Sequence, residues 1–503
     1  MPVKYIDVTA SSDLFVPATR AFGDIAIVGK GRASTPASGP AEFTNPAAAI
    51  ARYPVTPTVT DAVLDSTTTV TSAIAGFVAS DVGRSVTGTG IPAGTTIASV
   101  TSATTIVLSA AATATATGVT LTFSPTRSVK DAVLDSTPTV TSATAEFAAS
   151  EVGSPVTGTG IPAGTTIASV TSATTIVLSA AATATATGVA LTFGPGLITD
   201  LAAAIAIAFR QTPPPTRVWG VQVDAASPDW AGALAEVANL NVQIVALANM
   251  PLNSGNATVI GSLATHVATV SNTGGDGKER IGVAMLDPTL TAATAVALNT
   301  GAVKNERMFL IAHTSAEDAG AAAAGVIAGY EPQISMLLKP IKINMTRLFS
   351  DADIDAFDGA FINWVTSPVL IPGQSLFLGE GYTADPSQNK KYIDIVRTID
   401  DINFRIKAEL IQAIGNFRVS RSGLRGIVTL VQAVLSPQVA ADVIEDFSIH
   451  IPLLVLLDKD PTTLSAAELT EIQQAQANRL VDMVVTVVYA GAIHRLHIDL
   501  VFQ

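Results

Sequence analysis

The sequence predicts a multidomain protein of mixed α/β (α+β) class, with a pair of small all-β domains inserted into it. Three observations predict this. From Leu197 onward, segments of helical period alternate with segments of strand period, the pattern of an α/β layer. Asp61 to Phe123 realigns on Asp131 to Phe193, seventy residues later, with eight differences. Finally, 503 residues exceed what one ordinary core encloses, so about two to four domains are expected.

Residues 1–15 read as an extended N-terminal arm through "VKYIDV", and 16–55 open a core with "AFGDIAIVGKG", a strand running into a glycine turn. Residues 56–126 and 127–195 are the two repeats. The passage "GTGIPAGTTIASVTSATTIVLSAAATATATGV" begins at Gly88 and again at Gly158. In it "TTIASV" and "TTIVLS" alternate apolar with small polar residues, "GIPAG" supplies a turn, and "GVTLTF" or "GVALTF" closes each unit. Ile74 against Thr144 and Arg84 against Ser154 are among the differences. Pro and Gly in "YPVTPTV" and "FGPG" fence the pair, which reads as an insertion.

Residues 196–385 form the α/β domain. "LITDLAAAIAIAF", "WAGALAEVANL", "LTAATAVALNT" and "SAEDAGAAAAGVIAGY" read as helices; "TRVWGVQVD", "VQIVALAN", "RIGVAMLD" and "ERMFLIAH" read as strands. Their nearly unbroken apolar runs suit a sheet covered on both faces. Residues 386–492 form a C-terminal core domain that starts with a strong amphipathic helix: Ile393, Val396, Ile399, Ile402, Ile406, Leu410 and Ile414 recur at spacings of three and four. Residues 493–503 read as a C-terminal arm, the second of two alternating runs broken at "AGA".

Composition narrows the function. Charged residues are only 14% of the chain, a first hint of extensive subunit contact, and the net charge of −13 argues against a general nucleic-acid binder. Without cysteine there are no disulfides, thiolate nucleophiles or Cys-type zinc sites. "MPVKYIDVTA" lacks an apolar signal core and no apolar run reaches membrane-helix length, so a soluble protein without membrane insertion is expected.

Chemistry is hard to find. "IVGKGRAST" and "NTGGDGKERIG" lack the spacing of phosphate or dinucleotide loops and read as turns. "DADIDAFDG" spaces Asp351, Asp353 and Asp355 like the start of a calcium loop, but Ala356 and Ile362 stand where glycine and glutamate belong. His494 and His497, three apart in a strand, point to opposite faces; His266, His313 and His450 are scattered. The pairs Asp400–Asp401 and Glu445–Asp446 read as solvated helix faces. No catalytic, cofactor or metal site is expected, and the chain reads as no enzyme.

At "FLGEGYTADPSQNKKYIDIVRTIDDINFRIKAEL" the chain resembles the C-terminal region of the contractile-tail sheath proteins of bacteriophages and related injection machines. "VKYIDV" looks like that family's N-terminal arm, "AFGDIAIVGKG" like its first core strand and "HRLHIDLVFQ" like its closing arm, so the resemblance spans about 1–53 and 197–503. It implies a sheath-like core with strand-exchange arms, a helical homo-oligomer of stacked hexameric rings, and contraction that drives an inner tube through a host envelope. The implied partners are other copies of the chain, the inner tail tube protein, and baseplate and tail terminator proteins; the implied location is a virion tail assembled in the host bacterial cytoplasm.

Strands at both ends, donated to neighbours, would link subunits by main-chain hydrogen bonds alone. The expected donors are Val3, Tyr5, Ile6 and Val8 in the N-arm and His494, Leu496, Ile498, Leu500 and Phe502 in the C-arm. In the family, the segment after the long helix touches the tube. Here that segment is "SRSGLRGIVTLVQAVL", where Arg418, Arg421 and Arg425 give a local excess of +3 with no acid between Glu409 and Asp442. If it is helical, Arg421 and Arg425 share a face. The repeats are then an exterior decoration. The alternative reading is a non-enzymatic surface or adhesion protein with tandem β binding modules.

Overall fold

The computed structural model describes residues 23–31, 39–53, 58–73, 81–147, 154–193, 199–224, 228–272, 277–371, 375–387, 390–413 and 415–492, with single residues 75, 77, 151, 373 and 494. The N-arm residues Val3, Tyr5, Ile6 and Val8 lie outside these, as do Leu496, Ile498, Leu500 and Phe502 of the C-arm.

The chain starts in the α/β body with β1 (Asp24–Lys30), β2 (Ala41–Phe43) and the short helix α1 (Pro46–Arg52), capped by Asn45. It then leaves for the repeats. The first contributes β3 (Thr58–Asp65), β4 (Thr69–Thr71), β5 (Arg84–Gly88), β6 (Ile97–Ser102) and β7 (Thr105–Leu108). Next comes β8 (Thr115–Asp135), a strand of 21 residues, and then the second repeat with β9 (Thr139–Thr141), β10 (Val156–Gly158), β11 (Ile167–Ser172), β12 (Thr175–Leu178) and β13 (Thr185–Phe193).

β8 is shared. Its first part pairs antiparallel with β3, its last part with β13, and β5 bridges the middle. The division at 126/127 therefore falls inside a strand, where the sequence reading places a boundary. Pro125 sits between Phe123 and Arg127, where the β5–β8 register shifts, a position that needs no ladder donor. Each repeat keeps its own core. One gathers Val59, Leu64, Phe77, Ile97, Ile106, Leu121 and Phe123, and the other their counterparts Val129, Leu134, Phe147, Ile167, Ile176, Leu191 and Phe193. The two Phe pairs meet edge to face at the same 5.4 Å.

The repeats solve one electrostatic problem twice. In the first, Arg84, with no exposed surface, pairs with Asp81 at 3.0 Å. In the second, Ser154 replaces the arginine, and Arg127 reaches in from β8 to grip Glu151 through two bonds of 2.7 and 2.9 Å, both side chains 2% exposed. Arg127 also donates to the Ala145 carbonyl and lies 5.1 Å from the ring centres of Phe147 and Phe193.

The chain re-enters the body at α2 (Asp200–Phe209), which shares a core with α1. There follow β14 (Arg217–Val223), α3 (Trp230–Ala238), β15 (Ile244–Leu247), α4 (Ala257–Asn272), β16 (Ile281–Met285), α5 (Ala292–Val296), β17 (Met308–Ala312), α6 (Ala319–Gly329), α7 (Asp351–Gly359), β18 (Asn363–Thr366) and β19 (Phe377–Leu378). The sheet runs β19-β18-β17-β16-β15-β1-β14-β2: β18 through β14 are parallel, and an antiparallel strand closes each edge. Separate apolar clusters cover its two faces, which is why its strands carry no polar alternation. Helix α6 is buried on all sides, and its alanines let it sit close to the sheet. "DADIDAFDG" is helix α7, with Ser350 and Asp353 forming a reciprocal cap, so Asp353 is spent on a helix start.

The C-terminal part comprises α8 (Ile393–Ala413), α9 (Arg421–Ala440), β20 (Ile444–His450), α10 (Pro452–Asp458), α11 (Ala466–Asn478) and β21 (Val484–Tyr489). Of the expected α8 stripe, Ile393, Val396 and Ile402 are buried, while Ile399 is 38% exposed. No helix among the described residues is long and apolar enough to cross a membrane.

Arg127→Ala should leave the Glu151 carboxylate buried without its cation and destabilise the second repeat by about 3 kcal/mol or more. Differential scanning calorimetry should show one early transition, with the rest of the trace in place.

Candidate assembly interface

Helix α8 crosses the N-terminal edge of the parallel sheet, where strand starts bring together residues far apart in sequence. Arg307, just before β17, makes a bidentate pair with Asp400 at 2.7 and 3.0 Å. Lys407 reaches Glu279 at 2.8 Å, Arg405 reaches Asp401 at 2.7 Å one turn away, and the Arg397 guanidinium donates to the Tyr330 carbonyl at 2.8 Å. Beside them Arg217 holds Asp24 at 2.6 Å, and Arg280 donates to the carbonyls of Val237 and Leu240 at the end of α3. A cavity of about 20 Å³ lies in this seam, lined by Gln243, Glu279, Arg397, Asp400 and Asp401 among others.

Two sequence readings change here. Asp400 and Asp401 are 4% and 7% exposed, so they form no solvated face; their partners are set 93 residues apart or on the next helical turn. Glu445 and Asp446 are exposed as expected, but they stand on strand β20.

Above the seam, α8 and α9 form a base for an antiparallel pair, β20 with β21. Phe447, Ile449, Val485 and Val487 turn toward Ile402, Val431 and Leu435 of the helices. The other face carries Asp446, Ser448 and His450 opposite Val488, Thr486 and Val484, with the two valines 46% and 57% exposed. Among the described residues no third strand pairs with either edge. A two-stranded sheet is marginal alone, and here the helical base supports one face.

Arg421 begins α9, with Ser420 as its cap. Gly423 and Gly426, which weaken a helix on propensity, are needed here: a Cβ on Gly423 would lie 2.0 Å from the Arg418 carbonyl oxygen, and one on Gly426 would lie 2.3 Å from the Phe417 ring, because the preceding turn folds back on the helix. Arg421 and Arg425 share a face, and both converge on Asp458 at the end of α10, at 2.9 and 3.1 Å. The local excess of +3 thus meets an acid that lies more than thirty residues on. Both arginines stay half or more exposed, and Arg418 is exposed.

His494 departs most from expectation. As an arm residue it should be offered outward, yet its side chain is 7% exposed and bonds within its own chain to Glu380 at 2.9 Å and Ser335 at 2.8 Å. Nearby, the Tyr489 hydroxyl donates to Asp394 at 2.6 Å; burial pushes that carboxyl up, and this bond pulls it back.

The crevice at the opposite edge of the sheet, where strand order reverses beside β1, is where open α/β sheets take ligands. Here the chain's own groups meet there. The Asn249 backbone N–H donates to Asp318 at 2.6 Å and its side chain to Asp200 at 3.1 Å. Burial pushes the Asp318 carboxyl up to about 6, against the N–H bonds from Ala321 and Asn249. A Cβ on Gly29 would sit 2.5 Å from that of Ala248, so the glycine serves packing. Two carboxyls thus meet here, with the Lys30 charge acting on Asp200. Among the described residues no group of three or more His, Asp or Glu side chains could hold a metal.

No protein-family model and no curated protein sequence matches this chain. Solved structures do. A sheath tail protein from Listeria innocua is similar at 11% identity over 94% of this chain and 96% of its own, with a TM-score of 0.40. One from Desulfitobacterium hafniense is similar at 12% identity over 89% and 93%, with a TM-score of 0.41. The helical sheath of the anti-feeding prophage in its contracted state is similar at 15% identity over 62% and 84%, with a TM-score of 0.44. By their descriptions the first two are sheath tail proteins and the third is a helical sheath in its contracted state.

Arg307→Ala should remove the bidentate cation from the buried Asp400 carboxylate and lower the unfolding free energy by about 3 kcal/mol, whereas the double variant Arg307→Met/Asp400→Leu should recover most of it. Urea denaturation of both proteins measures the difference.

Proposed function

We propose that this chain is the subunit of a contractile tail sheath, a non-enzymatic protein that polymerises helically around an inner tube and drives it through a host envelope by contracting. One observation carries the reading: a two-stranded sheet, β20–β21, stands on a helical base with no further strand on either edge among the described residues, in a chain whose two ends carry strand-like sequences. Two open edges accept two strands, one from each end of neighbouring copies. Main-chain ladders of this kind need no special side chains, and a heterologous contact that does not close on itself builds rings and helical tubes. Energy held in a trapped assembly requires no nucleotide site.

On this reading the repeats project from the outer surface, and Arg418, Arg421 and Arg425 face an acidic band on the tube protein. Asp458 already holds two of the arginines, so each contact with the tube is weak. Exposed pairs are worth about 0–1 kcal/mol each, and repetition along the tube adds them into a grip that can still release.

Two experiments test this. Purified protein should form ordered tubes in negative-stain micrographs, while truncation of residues 2–8 or of 495–503 should leave a folded, monodisperse subunit that makes none; discrete particles from the intact chain overturn the reading. Arg421→Glu/Arg425→Glu should uncouple sheath from tube and make extended tails rarer at physiological salt. Placing it on an Asp458→Asn background removes the new repulsion within the subunit, and normal extended tails there would take the arginines out of the grip.

A further inference from the structure

The strand β21 ends at Tyr489, and Gly491 and Ala492 that follow are exposed. Two residues later the chain is held again. His494 Nδ1 lies 2.9 Å from Glu380 Oε2 and Nε2 lies 2.8 Å from Ser335 Oγ, and the ring packs on Tyr392 with centroids 4.2 Å apart. Both ring nitrogens are thus engaged, one by a carboxylate that is itself 6% exposed.

The socket is built from three separate stretches of the body. Ser335 lies beyond α6, and its hydroxyl also accepts the Leu337 N–H at 3.2 Å. Glu380 follows β19. Tyr392 precedes α8 and stacks on Tyr382 at 5.5 Å, whose hydroxyl donates to Asp358 at 2.6 Å. Lys391 Nζ lies 5.0 to 5.6 Å from the ring centres of Phe361, Tyr382 and Tyr392 and backs the stack. Two of the walls, Ser335 and Tyr392, are held by contacts that do not involve His494, as a preformed site requires.

We propose that Ser335, Glu380 and Tyr392 form an anchor socket for His494, and that this anchor sets which face of the C-terminal segment is presented to a neighbouring copy. In extended chain, residues 494, 496, 498, 500 and 502 share one side, and in this sequence they are His, Leu, Ile, Leu and Phe. Pinning the first fixes the direction of the four apolar ones. A slip of one residue would turn all four away, because strand period is two. His494 is therefore a positioning residue: it belongs to the body, and the donated segment begins after it. The assembly role assigned here rests on the sheath reading; the socket itself does not.

The test uses insertions placed after the anchor. One serine between His494 and Arg495 should abolish tubes, and two serines should restore them, because parity returns. In a His494→Ala background the odd and even insertions should behave alike. His494→Ala alone should raise the critical concentration for tube formation about tenfold, which is ~1.4 kcal/mol per subunit. His494→Gln, whose amide can donate to Glu380 and accept from Ser335, should return most of it, and the insertion variants, which keep the anchor, should melt close to the parent protein. Because the chain has no cysteine, a single spin label at Leu496→Cys reads the socket in unassembled subunits. The label should be restricted in the parent and loosened by His494→Ala or Glu380→Ala. Equal label motion in parent and variants would overturn the anchor. Tubes that ignore parity would overturn its directing role. If the intact chain makes no tubes at all, the sheath reading fails while the label still decides the socket.

Discussion

The buried ionic seam between α8 and the start of the parallel strands is the constraint on which the rest of this structure depends. Arg307 and Asp400 are both buried, and the partly exposed Lys407 and Arg405 reach the buried carboxylates of Glu279 and Asp401, where the helix meets strand ends rather than a sheet face. Such pairs add little net stability compared with apolar packing, but they tolerate almost no misplacement, because each unpaired member costs several kcal/mol. The seam therefore fixes position more than it supplies adhesion. Through α8 it sets where α9 lies, and through both helices how the pair β20–β21 is oriented. Tyr489 on Asp394 and His494 on Glu380 tie the other end of that unit to the same helix and body.

The sequence made the α/β layer legible because burial on both faces leaves long apolar strands, and because α8 has one wet face and one dry. The two small cores of the repeats followed from identity and alternation. Helix α4 was not legible: "ATVIGSLATHVATVSN" mixes β-branched and small residues without a clean stripe, and it is helical because Ile260, Leu263, Ala264 and Val267 dock on the sheet. The seam was not legible either. Adjacent acids on an amphipathic helix look solvated unless the strand ends that meet them are known, and Arg307 gives no local sign of its destination. Asp458 was hidden from Arg421 and Arg425 for the same reason, since charge counted along the chain misses an acid brought in by a loop. His494 illustrates the limit of period-two reasoning, which shows that residues 494 to 502 alternate but not that the first is held by the body.

An assembly site such as the one proposed differs in its demands from a catalytic one. It asks for open backbone edges, correct facing and many weak contacts, so it leaves few marks in residue type. In the sheet crevice that other α/β proteins fill with a ligand, Asp200, Asn249 and Asp318 bond to one another, and Gly29 beside them serves packing. Informative polar residues therefore sit at joints between elements.

The shared strand β8 bears on how such a gene can change length. The last strand of one repeat runs without a turn into the first strand of the next, and the joint supplies a cation, Arg127, for the acid of the following unit. A further in-frame duplication of the same seventy codons would carry its own joint, acid and cation with it, and would need no compensating change in the body. Unequal recombination between nearly identical copies can add or remove whole units in one event. Copy number at this locus is then expected to vary between closely related genomes faster than any other part of the chain, as a ratchet of unit steps rather than a drift of point changes.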